Sequence, residues 1–208
     1  VDGTLTETLE LIFATFNHVA EKYVGKRFSP AEITAMFGPP EEVAIERLVG
    51  DGRLPEAMTD FFDFYKRNFH FMAKLYPGMD EILRFLKEKK LLLAVFTGKG
   101  TRSTEITLQE LGIRQYFDMI VTGNDVVNHK PSSEGIRKVM DRFKLSPDEV
   151  LMIGDAVADV KASHEAGIPI AAVVWDSYAK DKIMQMKTDY LFHNVAELRE
   201  WLQEVSNP

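Results

Sequence analysis

From residue 79 onward, short apolar runs alternate with single amphipathic helices, and this order constrains the fold more than any other feature of the chain. Apolar runs at 91–96, 119–121, 150–153 and 170–174 are each short enough for a strand buried on both faces. Helices are predicted over 80–89, over 103–111, along the stripe Ile136, Val139, Met140 and Phe143, and up to Gly167. Strands joined by single helices require right-handed crossovers, hence a parallel sheet covered on both sides. A last helix opens at Asn194, with Glu197 three residues on, and is expected to bury Leu198, Trp201, Leu202 and Val205.

The first third of the chain reads differently. Leu9, Ile12, Phe13, Phe16, Val19, Ala20 and Tyr23 fall on one helical face. Ser29-Pro30-Ala31-Glu32 is a capping box with proline at the first helical position, so a second helix starts there and is expected to end near Phe37-Gly38-Pro39-Pro40. Helices follow from Glu41 and over about 55–71, where an aromatic stripe from Phe61 to Phe71 is more often bundle core than substrate box. Residues 9–73 are thus an all-helical unit, and 1–8 with 74–208 an α/β unit.

Composition narrows the function. The chain of 208 residues carries 25 Lys and Arg against 32 Asp and Glu, a net charge of −7, with no basic block to neutralise a phosphate backbone. Nucleic acid is a poor partner. No run approaches the roughly 18 apolar residues of a membrane span. The absence of cysteine excludes disulfides and thiolate chemistry and fits a reducing, cytoplasmic setting. No secretory signal is visible, and the first residue is Val1.

In a parallel sheet, ligands bind beyond the carboxyl ends of the strands, so polar residues just after each apolar run are the candidates. There are four such places. Val1-Asp2-Gly3-Thr4-Leu5 opens the chain, and Thr97-Gly98-Lys99-Gly100 follows the strongest strand. Lys130-Pro131 precedes the striped helix, and Gly154-Asp155-Ala156-Val157-Ala158-Asp159 follows the run at 150–153. Singly, each has an ordinary reading as a turn, a helix start or a favourable charge at a helix N-terminus. Two carboxylates on one helical turn can also face a hard cation through oxygen.

Together, Asp-Gly-Thr, Thr-Gly after a strand, Lys-Pro and Gly-Asp-x-x-x-Asp resemble the four motifs of haloacid dehalogenase superfamily phosphatases, over nearly the whole chain. Within that superfamily the chain is most similar to the phosphoglycolate phosphatase-like group. The resemblance implies a Rossmann-like three-layer core with an inserted all-α cap, and a Mg²⁺-dependent phosphohydrolase acting on a small phosphorylated metabolite. It implies that Asp2 is the general acid and base, with its backbone carbonyl toward the metal. Thr97 and Gly98 would hold phosphoryl oxygens, Lys130 would offset their charge, and Asp155 and Asp159 would hold or position the metal. Phe37, Gly38 and Pro39 resemble a cap segment that faces the active site.

The same resemblance implies an aspartate nucleophile two positions before Asp2, at the end of an apolar strand central to the sheet. Both precede Val1. Without that strand its neighbours would carry unpaired backbone groups, so the protein is expected to possess it. After Lys130-Pro131 the family commonly has an acidic residue and proline, where Ser132-Ser133 stand here. Asp2 argues against dehalogenation, because a halide leaves without a proton. Pyrophosphate hydrolysis and phosphoryl mutation remain alternatives on the same fold, and a non-catalytic binding protein remains one of another class. Among five scattered histidines only His129, beside Lys130, is a site candidate. Oligomeric state is not written in the sequence.

Overall fold

The computed structural model describes residues 1–206. The short strand β1 (Thr6–Glu7) leads into α1 (Leu9–Val24), α2 (Pro30–Thr34), α3 (Glu41–Val49) and α4 (Leu54–Met72). These four helices close on one cluster in which Leu11, Val19, Ile33, Ile45, Tyr65 and Phe69 are fully or almost fully buried. The aromatic stripe is mainly bundle core, as its helical spacing requires, although Phe71 at its end is exposed. Ser29 caps α2 with the reciprocal box to Glu32. The helix is shorter than expected: Met36 and Phe37 donate back only three residues, to Ile33 and Thr34, which tightens the chain into Gly38-Pro39-Pro40.

The chain re-enters the α/β part through β2 (Lys74–Leu75), antiparallel to β1, with Thr6 opposite Leu75 and Glu7 opposite Lys74. Two-residue strands have no period, and neither was anticipated. There follow α5 (Met79–Glu88), β3 (Ala94–Phe96), α6 (Thr101–Glu110), β4 (Met119–Val121) and α7 (Glu134–Phe143). The chain then continues through β5 (Met152–Gly154), α8 (Val157–Ala166), β6 (Ile170–Val173), α9 (Lys180–Ile183), β7 (Tyr190–Phe192) and α10 (Val195–Val205). The last two residues of the expected core span lie outside the described residues.

β6 shows why its run is uniformly apolar. Ala171 and Val173 point into a cluster with Met79, Ile82, Phe192 and Leu198, while Ile170, Ala172 and Val174 point into another with Val160 and Ile183. Both faces of the strand are covered, so both parities must be apolar.

Three expectations need correction. The parallel strands form two sheets, β3-β4 and β5-β6-β7, rather than one. Leu5, Leu75 and Leu93 pack against the apolar clusters on both sides of this division. The run at 91–96 is ladder only from Ala94, and Leu91 and Leu92 ahead of it are 43% and 50% exposed. In α10, Leu198 and Leu202 are buried, Trp201 is half-buried against Tyr190 and Phe192, and Val205 at the last turn is exposed.

α7 approaches β3 through Gly135, where a Cβ would overlap the Phe96 ring. Alanine would gain about 0.5–1 kcal/mol of helix propensity, but overpacking a closed core costs about 1–3 kcal/mol. We therefore predict that Gly135→Ala lowers the urea midpoint; a raised midpoint would show that Phe96 has room to retreat.

Candidate active site

Val1 to Thr6 form a tight turn in which Leu5 N–H donates to the Val1 carbonyl at 2.8 Å and Gly3 N–H donates to the Thr6 carbonyl at 2.9 Å. Gly3 has φ +76°, and a Cβ there would overlap the Asp155 carboxylate. Glycine thus lets the first loop lie directly on the loop after β5. Thr4 seals the contact: its hydroxyl donates to Asp155 Oδ1 at 2.6 Å, across 151 residues of sequence.

Asp2, Thr97, Lys130 and Asp155, one from each of the four places after strands, line a single cavity of about 230 Å³, with Gly98 and Asp159 also in its wall. Asp2 Oδ1 accepts from the Thr8 hydroxyl at 2.6 Å and from Lys99 Nζ at 2.9 Å. Burial alone would raise this carboxyl, but Lys99, the α-ammonium of Val1 and the Thr8 hydroxyl together hold Asp2 below the ordinary aspartate range. Thr97 is buried at the end of β3, and its hydroxyl accepts from the Lys99 N–H at 3.3 Å. Lys130 Nζ lies 2.7 Å from Asp159 Oδ1 and 3.3 Å from the Phe96 carbonyl. The Asp159 carboxylate also accepts from the Ala156 N–H at 3.1 Å.

Asp155 stands apart electrostatically. Lys99 is paired with Asp2 and Lys130 with Asp159, and among the described residues no lysine or arginine side chain forms an ion pair with Asp155. Burial first, and then the charge of Asp159, pushes its carboxyl up to about 6. A buried carboxylate in that position is a place for a cation. No group of three ligating side chains occurs among the described residues. Carboxylate oxygens of this kind suit a hard ion whose shell is completed by water.

Phe37, Gly38 and Pro39 line the same cavity from the helical side. A Cβ at Gly98 would come within 2.6 Å of the Gly38 carbonyl, so the two loops touch because Gly98 lacks a side chain. Phe37 meets Tyr178 edge-on with centroids 5.9 Å apart. His129 is not among the cavity residues, and its Nδ1 is buried without a hydrogen-bond partner.

Several participants escaped the sequence reading. Lys99 sat inside a motif scored for its hydroxyl and glycines, yet its Nζ bridges Asp2 and, at 2.6 Å, the Tyr65 hydroxyl on α4. Burial opposes its charge, but Asp2 and Tyr65 raise it above an ordinary lysine. Glu41 accepts from the Gly100 N–H at 2.7 Å and from the Ser103 hydroxyl, fastening α3 to α6. A two-carboxylate start, Glu41-Glu42, after Pro40 reads only as an acidic helix N-terminus. Tyr178 lies in a loop with no periodic signal.

The loop that carries Lys130 is tied off by Glu134, whose carboxylate accepts the N–H of Asn128 at 2.8 Å and of Val127 at 3.1 Å. Those two donors, Asn128 first, hold the Glu134 carboxyl at about 2, down from 4.5. Because the folded value is depressed, the stabilisation is complete above about 4.5 and lost as pH falls toward about 2. Glu134→Gln is therefore expected to melt lower than the parent at neutral pH, with the two curves converging on acidification. A gap independent of pH would show that this carboxylate is not what fastens the loop.

A model of the haloacid dehalogenase-like hydrolase family matches residues 1–173. The pyrophosphatase PpaX of Halalkalibacterium halodurans is 29% identical over 202 residues, covering 95% of this chain and 92% of the relative. The crystal structure of a predicted phosphoglycolate phosphatase from Haemophilus somnus superposes with a TM-score of 0.85 at 23% identity, covering 98% of this chain and 95% of that one. CbbY from Rhodobacter sphaeroides, solved in complex with phosphate, superposes with a TM-score of 0.81 at 22% identity over 95% of this chain and 93% of its own. At those identities the two structures speak for the fold: a Rossmann-like α/β core with a helical cap. The chain belongs to the haloacid dehalogenase-like hydrolase family and is an enzyme of its phosphatase type.

Proposed function

We propose that this hydrolase removes the phosphoryl group of a small phosphomonoester through an aspartyl-phosphate intermediate, with Mg²⁺ as its metal. The observation that carries the reading is the convergence of Asp2, Thr97, Lys130 and Asp155 on one cavity. In this reading residues 1–8 and 74–208 act as the catalytic core and 9–73 as the cap, a division supported by the separate buried cluster of the four helices.

Phosphoryl transfer asks the protein for positioning and for positive charge about the transferring oxygens. Asp155 would hold the metal, with the Asp2 carbonyl, and Asp159 would orient the site through its pair with Lys130. The metal when bound supplies a divalent charge to the phosphoryl oxygens. The Thr97 hydroxyl and the Gly98 N–H would hold those oxygens, and Lys130 would neutralise them. The family resemblance puts the attacking carboxylate on the residue preceding Val1. Its oxygen bonds to phosphorus as the ester oxygen leaves, and Asp2 gives that oxygen a proton. Asp2 then takes a proton from the water that attacks phosphorus. Inorganic phosphate departs, the carboxylate is regenerated, and the proton taken serves the next leaving group. Lys99 and Thr8 favour the ionised Asp2 that the water step needs.

Pyrophosphate hydrolysis is the second reading, favoured by the similarity to PpaX. In either case phosphate release by the full-length protein is expected to stop in chelator and return with Mg²⁺. Asp155→Asn is expected to raise the Mg²⁺ requirement by at least the roughly 10–100-fold that loss of an outer-layer partner costs. Asp2→Asn is expected to slow turnover by about 10²–10⁴-fold. Undiminished rates in both variants, or in chelator, would refute these assignments.

A further inference from the structure

The two ends of the cavity differ in chemistry. The α/β part supplies carboxylates, hydroxyls and two lysines; the helical unit supplies Leu9, Ile12, Phe16, Met36, Phe37 and Phe61. Among the described residues, the side chains that the helical unit adds to the cavity include no lysine, arginine or histidine. Its only polar side chains there are those of Glu41 and Tyr65. Both are engaged: Glu41 by Gly100 and Ser103, Tyr65 by Lys99 and Thr107. The two lysines that reach the cavity are engaged as well, Lys99 with Asp2 and Lys130 with Asp159.

Resting on the phosphatase reading above, we propose that the group leaving with the ester oxygen is uncharged and apolar, an alkyl or aryl group packed against this helical wall. A leaving group with a second anion, the carboxylate of phosphoglycolate or the second phosphate of pyrophosphate, would lose its water there. It would meet no cationic side chain from the wall in exchange, and it would face Glu41, an acid like itself. An apolar group loses little by leaving water and gains contact with six apolar side chains. Continuity makes the wall a substrate surface rather than a separate pocket, because one cavity runs from Thr97 and Lys130 to Phe16 and Phe61.

The test uses the full-length protein with Mg²⁺ and compares kcat/KM for phenyl phosphate and n-butyl phosphate with that for 2-phosphoglycolate and pyrophosphate. The uncharged leaving groups are expected to be favoured by roughly tenfold or more. Phosphate release with 2-phosphoglycolate or pyrophosphate preferred would overturn this proposal while leaving the phosphatase reading intact. Release from none of the four would overturn both. A binding measurement separates recognition from chemistry: benzylphosphonate is expected to bind more tightly than phosphonoacetate by calorimetry, and the reverse order counts against the wall. Met36→Lys puts a cation on a half-buried wall position and is expected to shift the kcat/KM ratio toward 2-phosphoglycolate; an unchanged ratio would show that the leaving group does not lie there.

Discussion

Asp155 is the point on which the site is built. It is buried, lacks a lysine or arginine of its own, and is pressed against the backbone of Gly3 with a hydroxyl from Thr4 on one oxygen. That contact holds the first loop of the chain to the loop after β5. The neighbouring carboxylates do not share its condition, since Asp2 has Lys99 and Asp159 has Lys130. Asp155 is thus buried without a cationic side chain of its own, and the low dielectric makes its charge costly. A divalent cation bound there would offset that cost through oxygen ligands and water.

The helical unit is coupled to this site by polar contacts as well as by packing. Lys99 joins Asp2 to Tyr65 on α4, and Glu41 joins α3 to the start of α6. Where no side chain could fit, Gly98 lets the Gly38-Pro39-Pro40 loop rest on the core. Asp2 is therefore held by a lysine that also touches the helical unit, so that unit's position and the geometry of Asp2 are linked through one ammonium group.

The two parts of the molecule bring different chemistry to the cavity. The four loops after strands bring its carboxylates, hydroxyls and lysines, while the apolar wall belongs to the inserted helices. A fold and a reaction type can be common to a family whose members differ in the leaving group they accept.

Much of the fold was legible because period reports on burial. The 3.6-residue stripe of α1, the capping box of α2, the unbroken run of β6 and the αL glycine that ends α8 each state a local requirement. The motifs at Asp2, Thr97, Lys130 and Asp155 were legible for a related reason, since residues just beyond parallel strands must meet at one edge of a sheet. Pairing between strands, the exposure of Leu91 and Leu92, and the β1-β2 clasp were not legible, because each depends on what lies alongside rather than on what comes next. The partnership of Lys99 with Tyr65, 34 residues apart, is of the same kind. By itself the sequence determined the longer helices, the apolar strands through β6 and the polar loops that follow them; only the tertiary structure decided the short elements, which charges are paired and what faces them. Local propensity acts along the chain, whereas desolvation and charge pairing depend on distance in space.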